Sequence, residues 1–437
     1  MAIPEAPGHL ADPHGDDVAA QDIAALWGLP LYRRDEHGQL RRGLVERART
    51  AVTDGRLNVT LELVPGSWTD GTPVTATDVV ETIALRKSGP TAGEWHVLSS
   101  AHAVDEQTVH LEFEATAAPA WPGLLGTIGV LPAQARQDLE RWKQDVPVSG
   151  GWYRLVEHDP GRLLRFEAHG EGPLGAPRLA SIDVMIVPSW ERALGMLDRR
   201  EIDAAMGHLA VGVRERVSDL EGLASAAPSG GTWIGLEWRD ASLAARRAVG
   251  DTVGVTDLVA SLLDAGSVVA TSPWFGVEGP WRQAMSADAS AAGGMVGGYP
   301  RGHGAVALLA SLLQRQVDEA GGSLRLISEN SPEFLEVARS EHDVALRIFR
   351  DHARGSLARW TEDPEVLAAE LSDDADAIEA AWKALFDARS IEPLVRPTVA
   401  HAWRPSSIGG LRPSAWPGIG FWNVGSWSSV DHAAWDS

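Results

Sequence analysis

The sequence predicts an α/β protein built from more than one folding unit. Strand-like and helix-like patterns alternate along the whole chain. Its 437 residues exceed what a single compact core organises and point to two or three units. The balance of 44% hydrophobic to 22% charged residues is that of an ordinary globular protein and argues against large-scale disorder.

Residues 57–63 (Leu57-Asn58-Val59-Thr60-Leu61-Glu62-Leu63) alternate apolar and polar and read as a half-buried strand. Asp70-Gly71-Thr72-Pro73 is a turn, and Thr77 is placed to cap a helix over 78–87. Residues 104–113 read as a turn feeding a second alternating strand. Residues 151–157 and 163–168 read as a hairpin around Pro160-Gly161. A strand follows over 182–187, then a helix over 189–199 capped by Ser189. Apolar spacing predicts further helices over 246–263, 305–320 and 374–388. The glycine-rich stretch 293–304 lacks the spacing of a dinucleotide fingerprint and reads as a flexible loop before a helix.

Composition excludes several functions. The net charge is −22, with no basic footprint to displace counterions from nucleic acid. There is no cysteine, hence no disulfide, thiolate nucleophile or cysteine-based metal site. The longest uncharged stretch, 115–134, is broken by Pro119, Pro122, Pro132, Gly123, Gly126 and Gly129 and reads as loop and short strand, so no membrane insertion is expected. No G-x-S-x-G elbow, P-loop or H-E-x-x-H helix is present. His96, His102 and His110 fall in one region, but their spacing defines no single helical face, and each reads as a surface or satisfied histidine. No metal and no cofactor is expected.

One block is distinctive: Trp68-Thr69-Asp70-Gly71-Thr72-Pro73-Val74-Thr75-Ala76-Thr77-Asp78-Val79-Val80. It resembles the signature of the family 5 bacterial extracellular solute-binding proteins, which serve peptide and nickel ABC importers. The block itself reads as structural: a turn after a strand, then Thr-x-x-Asp opening a helix. Other blocks resemble the family in the same order: Ser149-Gly150-Gly151-Trp152-Tyr153, Ala193-Leu194 through Glu201-Ile202-Asp203, and Ile391-Glu392-Pro393-Leu394. Two departures stand out. Trp152 replaces a proline, and Arg200 replaces the glycine before Glu201-Ile202-Asp203.

The resemblance implies a two-lobed periplasmic-binding-protein-like fold (type II, cluster C-like) with an extra subdomain and an interlobe ligand cleft. It implies a discontinuous lobe I (1–34, 149–236 and 415–437), an inserted subdomain (35–148) and a lobe II (237–414). The cleft is expected to be lined from the segments after Trp233, around Trp274 and Phe275, and around Asp351, the last standing where peptide binders hold the ligand's amino terminus. The chain carries 18 tryptophans, whose broad faces suit flat or cationic ligands. The ligand-binding residues expected are thus Trp233, Trp238, Trp274, Phe275, Asp351, Trp360 and Trp422.

The implied function is the substrate-binding component of an ABC importer: a monomer that closes on a small peptide-like or aromatic/cationic molecule and docks on a permease. The alternative is a cytoplasmic enzyme repurposed from this scaffold, catalysing a cyclisation or condensation in secondary-metabolite biosynthesis. The start of the chain has no basic-then-apolar leader. The location expected is the cell surface if a leader was removed and the cytoplasm if Met1 is the native start. A sensor fused to DNA-binding machinery finds no helix-turn-helix or basic segment to support it.

Overall fold

The computed structural model describes every residue except 12–17, 37–38, 89–91, 118–120, 127, 147, 171, 210–212, 227–231, 255–267, 270–287, 302–303, 330–341, 351–360, 362, 371–374, 389, 414–420, 422 and 430–437. The chain opens with strand β1 (Ala2–Ile3) and helix α1 (Val18–Trp27). There follow β2 (Val45–Thr53), β3 (Arg56–Leu63), α2 (Ala76–Ser88), β4 (Leu98–Ala103) and β5 (Thr108–Glu114). Then come β6 (Tyr153–Asp159), β7 (Leu163–Ala168), β8 (Ser181–Ile186), α3 (Trp190–Asp198), β9 (Ala204–His208) and β10 (Ala224–Ala226). The next run is β11 (Thr232–Trp238), α4 (Leu243–Thr252), β12 (Val268–Val269), β13 (Met295–Pro300), α5 (Gly304–Glu319), β14 (Leu324–Glu329) and β15 (Val344–Arg350). Last are α6 (Pro364–Glu370), α7 (Ala375–Ala388), β16 (Ile391–Arg396) and β17 (Ala400–Trp403).

Three sheets organise these elements. The first runs β6-β7-β8-β1-β9-β17-β10, the second β12-β16-β11-β15-β13-β14, and the third β2-β3-β5-β4. The first and second are the sheets of the two lobes. Each is covered on both faces, the arrangement that mixed sheets of α/β proteins require. In the first sheet, Phe166, Val184 and Met206 pack in one core with Ile23 and Trp27 of α1, while Ala205, Ala400 and Ala402 pack in another with Trp190, Leu194 and Leu197 of α3. In the second, Ile234, Leu236, Trp238 and Leu346 join Val249, Leu309 and Leu313 of α4 and α5. Trp233 and Phe349, on the opposite face, join Ile378, Trp382 and Leu385 of α7.

The third sheet shows how local chemistry sets this architecture. Strand β3 alternates buried and half-exposed residues, and its buried row meets Val79 and Ile83 of α2. It is joined to β2 by Asp54-Gly55, with φ of 52° and 73°, the left-handed pair a tight two-residue hairpin requires. The signature block forms one hydrogen-bonded unit. Asp70 Oδ1 accepts from Thr72 N, and Gly71 takes φ 84° to close the turn. The cap of α2 lies two residues earlier than the Thr77 expected. Thr75 N–H donates to Asp78 Oδ2 at 2.8 Å, a capping box closed by an aspartate. The same oxygen accepts from Trp68 Nε1 at 3.3 Å, and Asp78 Oδ1 accepts from Ala133 N at 2.6 Å. One buried carboxylate thus ties turn, helix and a distant loop together.

Several expectations change. The predicted helix over 246–263 begins at Leu243, where Ser242 Oγ accepts from Ala245 N. It ends at Thr252 because Val253 is extended. The glycine-rich stretch is not a loop, since Met295–Pro300 is β13, paired in parallel with β14 and β15. Its glycines serve close packing: a Cβ on Gly297 would lie 2.4 Å from Val344 O. The lobe division drawn from the sequence also departs from the strand pairing. Residues 400–403, assigned to lobe II, pair with β9 and β10 of the first sheet, and residues 232–236, assigned to lobe I, pair with β15 of the second.

The departure at Arg200 has a consequence for stability. Helix α3 ends in a Schellman motif, with Arg200 N donating to Leu197 O and Glu201 N to Met196 O. Arg200 occupies its left-handed position at φ 59°. Arg200→Gly is expected to raise stability by about 0.5–1 kcal/mol, because glycine reaches that conformation without a Cβ clash. Urea denaturation of the two proteins measures it.

Candidate functional site

The chain passes between the two lobe sheets twice. It leaves the first sheet at Ala226 and enters the second at Thr232, then leaves the second at Arg396 and re-enters the first at Ala400. These passages start and finish on neighbouring strands: Ser225 pairs with Ala402 and Ala226 with His401 in the first sheet, and Ile234 pairs with Val395 in the second. The returning one, Pro397-Thr398-Val399, is three residues long, with Thr398 and Val399 buried. A crossing this short is a hinge in which a few dihedral changes reorient one lobe while strand pairing holds each sheet intact.

In the first sheet, β1 runs parallel to both β8 and β9, so all three end along one edge. In open α/β sheets the crevice beyond the carboxyl ends of strands is where ligands bind. Pro4 and Glu5 follow β1 at this edge, and Leu209 follows β9. Leu209 reaches the other lobe: its carbonyl accepts from Ala305 N at the start of α5 (3.4 Å), and its side chain sits in the α4–α5 core. Helix α1 approaches β15 from the same side.

A β-bulge interrupts the pairing of β9 with β17 between Ala205 and His208. Gly207 there takes φ 76°, and its N–H donates to His401 Nδ1 at 3.4 Å. That contact makes Nδ1 the acceptor and puts the ring proton on Nε2. A Cβ on Gly207 would lie 3.9 Å from both Asp22 Oδ2 and Pro4 Cδ, which fixes Asp22 of α1 beside the bulge. His208 is buried with its ring 5.1 Å from that of Trp190. Gln21, adjacent on α1, holds its side-chain oxygen buried without a hydrogen-bond partner. Bulges of this kind re-aim groups beside binding sites. Here one sets Asp22 of α1 and His401 beside Gly207 on one face of the sheet, while His208 packs on Trp190 of α3 on the other.

The residues expected from the sequence are distributed differently. Trp233 and Trp238 lie on β11, on opposite faces of the second sheet, and both are buried. Trp233 stacks on Phe349 with ring centroids 4.0 Å apart and 14° between planes, under α7. Gly235 makes room for this ring, since a Cβ there would lie 2.5 Å from it. Trp238 belongs to the α4–α5 core. Trp274, Phe275, Asp351, Trp360 and Trp422 lie outside the described residues.

Along the Trp233 face, Glu237 Oε2 accepts from Arg347 Nη1 at 2.7 Å and Arg239 Nη2 at 2.8 Å. The Arg347 guanidinium sits 5.5 Å from the centre of the Phe349 ring. A column of Glu237, Arg347, Phe349 and Trp233 thus stiffens the strand leading out of the hinge. Burial alone would raise the Glu237 pKa, but Arg347 and Arg239 outweigh it and hold the carboxyl at about 2.

Sequence reasoning missed Glu5, Asp22, His208 and His401. No periodicity links them, and the bulge is what sets Asp22 and His401 together. The one local signal available was Gly207 itself, a glycine inside a strand pattern. Among the described residues, no group of three or more His, Cys, Asp or Glu side chains could hold a metal ion, and no helix is long and apolar enough to cross a membrane.

Residues 39–310 match the family described as "Bacterial extracellular solute-binding proteins, family 5 Middle". The match spans more than half of the chain, which belongs to this family. Solved structures share the whole fold. The oligopeptide-binding protein AppA from Bacillus subtilis, in complex with a nonapeptide, has a TM-score of 0.78 at 14% identity, covering 99% of each chain. NikZ from Campylobacter jejuni, in complex with Ni(L-His), has a TM-score of 0.76 at 17% identity, covering 98% of this chain and 99% of its own. AgaA from A. tumefaciens R10, in complex with agropinic acid, has a TM-score of 0.82 at 13% identity, covering 99% of this chain and 98% of its own. At these identities the likeness is one of fold. No curated protein sequence matches the chain.

The Glu237 network carries a pH signature. Its folded pKa lies below the unfolded value of 4.5, so its contribution is present above pH 4.5 and is lost as pH falls towards 2. Glu237→Gln leaves two half-buried arginines short of their acceptor and is expected to cost about 3 kcal/mol at pH 7. Between pH 4.5 and 2.5 its stability should fall less steeply than that of the parent. Urea denaturation across that range reads both effects.

Proposed function

We propose that this chain is the substrate-binding component of an ABC importer, taking a small peptide-like or aromatic/cationic ligand between its lobes and presenting it to a permease at the cell surface. The observation that carries this reading is the double crossing of the chain between the two lobe sheets, from β10 to β11 and from β16 back to β17, next to the strand-end edge where Asp22 and His401 meet the bulge at Gly207. Family membership supports it. A ligand that contacts both lobes stabilises the closed form by its differential affinity for the two states. Carboxylates at the edge favour a cationic group on the ligand, and the net charge of −22 favours it at longer range. In this reading Asp22 and Glu5 act from the first lobe. The residues expected at the ligand from the sequence, Trp274, Phe275, Asp351, Trp360 and Trp422, remain candidates for contact with it.

The ligand classes held by the structural neighbours define a panel: oligopeptides, a nickel–histidine complex and opines. The repurposed-enzyme alternative draws no support from the described residues. Thermal denaturation with each compound tests the proposal, because a ligand at 100 times its Kd adds about 2.7 kcal/mol to the native state. At least one class is expected to raise Tm, and Asp22→Asn is expected to diminish that rise at least tenfold in Kd while leaving the ligand-free Tm within a degree or two. A panel with no Tm shift, or a shift that Asp22→Asn leaves intact, contradicts the assignment.

A further inference from the structure

The third sheet presents its outer face away from α2, and that face carries a pair of histidines. His102 on β4 stands directly opposite His110 on β5. The turn at 104–107 folds the chain back, so residues eight apart in sequence become cross-strand neighbours. Their ring centroids lie 4.9 Å apart, with 46° between planes. His110 sits on the outer side of a strand whose alternate residues, Val109, Leu111 and Phe113, are fully buried. His102 is exposed.

We propose that His102 and His110 form a two-histidine chelate for a divalent late transition metal, independent of the interlobe site. Directly opposed residues of an antiparallel pair hold their Cβ atoms about 5 Å apart. Two imidazole nitrogens bound at about 2.1 Å to one metal stand roughly 3 Å apart. His110 turns both ring nitrogens towards β3, with Nε2 3.1 Å from Asn58 Oδ1 and Nδ1 3.5 Å from Thr60 Oγ1. A half-turn of the ring about χ2 exchanges these contacts, the second of them weak, for a nitrogen facing His102, and rings with centroids at 4.9 Å then reach the chelating separation by side-chain rotation alone.

The surrounding charge suits a cation. Arg49 and Arg47 on β2 share Glu62 at 2.8 and 3.8 Å, and Arg56 on β3 is paired to Glu112 at 3.5 Å, so each nearby guanidinium has a carboxylate beside it. Glu114 adds further negative charge along the same face of β5. Imidazole ligands suit copper, nickel and zinc, and the usual affinity order puts Cu2+ first. Water completes the coordination sphere.

Calorimetric titration of the full chain with CuCl2 at pH 7.5 tests this. One site is expected, weaker for ZnCl2, with His102→Ala and His110→Ala each losing at least tenfold in affinity and His96→Ala unchanged. Frozen-solution EPR should show coupling to two imidazole nitrogens. Circular dichroism of each variant checks that the exposed substitutions leave the fold intact. Absence of Cu2+ binding by the parent overturns the proposal, as does parental affinity in either single variant at either position.

Discussion

The double crossing of the chain between its two lobe sheets governs how this molecule is built. Each crossing starts and ends on a strand inside a paired sheet: β10 beside β17 on one side, β11 beside β16 on the other. Strand pairing holds each sheet together, and the returning crossing is only the three residues 397–399. Stiffness on either side makes such a hinge useful. In the second lobe, Glu237 joins Arg239 and Arg347 across β11 and β15, and Phe349 stacks on Trp233 at the end nearest the hinge. In the first, the bulge at Gly207 and its bond to His401 fix the edge where β9 ends. Motion at the passages thus carries rigid bodies, and a ligand that touches both can convert contact energy into closure.

Much of the fold was legible because local chemistry and global structure agree. Ser189 caps α3 and the 153–168 hairpin turns at Gly161, both as residue type dictates. The signature block was recognisable for a physical reason. Asp78 accepts hydrogen bonds from the helix start at Thr75, the turn residue Trp68 and the distant Ala133, so few substitutions satisfy all three donors. Trp152, where the family has proline, is accommodated by its surroundings. Arg33 covers the ring at 4.8 Å, Leu174 O accepts from Nε1, and Gly425 leaves space where a Cβ would clash at 2.5 Å.

Other features were not legible, each for a specific reason. Gly297 and Gly298 suggested flexibility, but the absence of a side chain equally permits a strand to press against Val344 and His342. The return of the chain to the first sheet was hidden because the four-residue strand β17 carries too little pattern to reveal its pairing. Tryptophans were read as ligand surfaces from their loop-like contexts, yet Trp233 and Trp238 fall inside a strand buried on both faces, where periodicity does not distinguish core from lining. The meeting of Asp22 and His401 at the Gly207 bulge was invisible because the two are distant in sequence. His102 and His110 were set aside for sharing no helical face, when a strand pair was what joined them.

The lack of cysteine permits a direct test of closure. Arg162 at the hairpin of the first sheet and Arg315 on α5 of the second lobe are both well exposed, and each can be replaced by a spin-labelled cysteine. Pulsed EPR then measures the distance between lobes with and without whichever ligand raises Tm. A hinge at the paired passages predicts a shift to a distinct, narrower distance distribution at saturating ligand. An unchanged distribution while ligand is bound would contradict closure about that hinge.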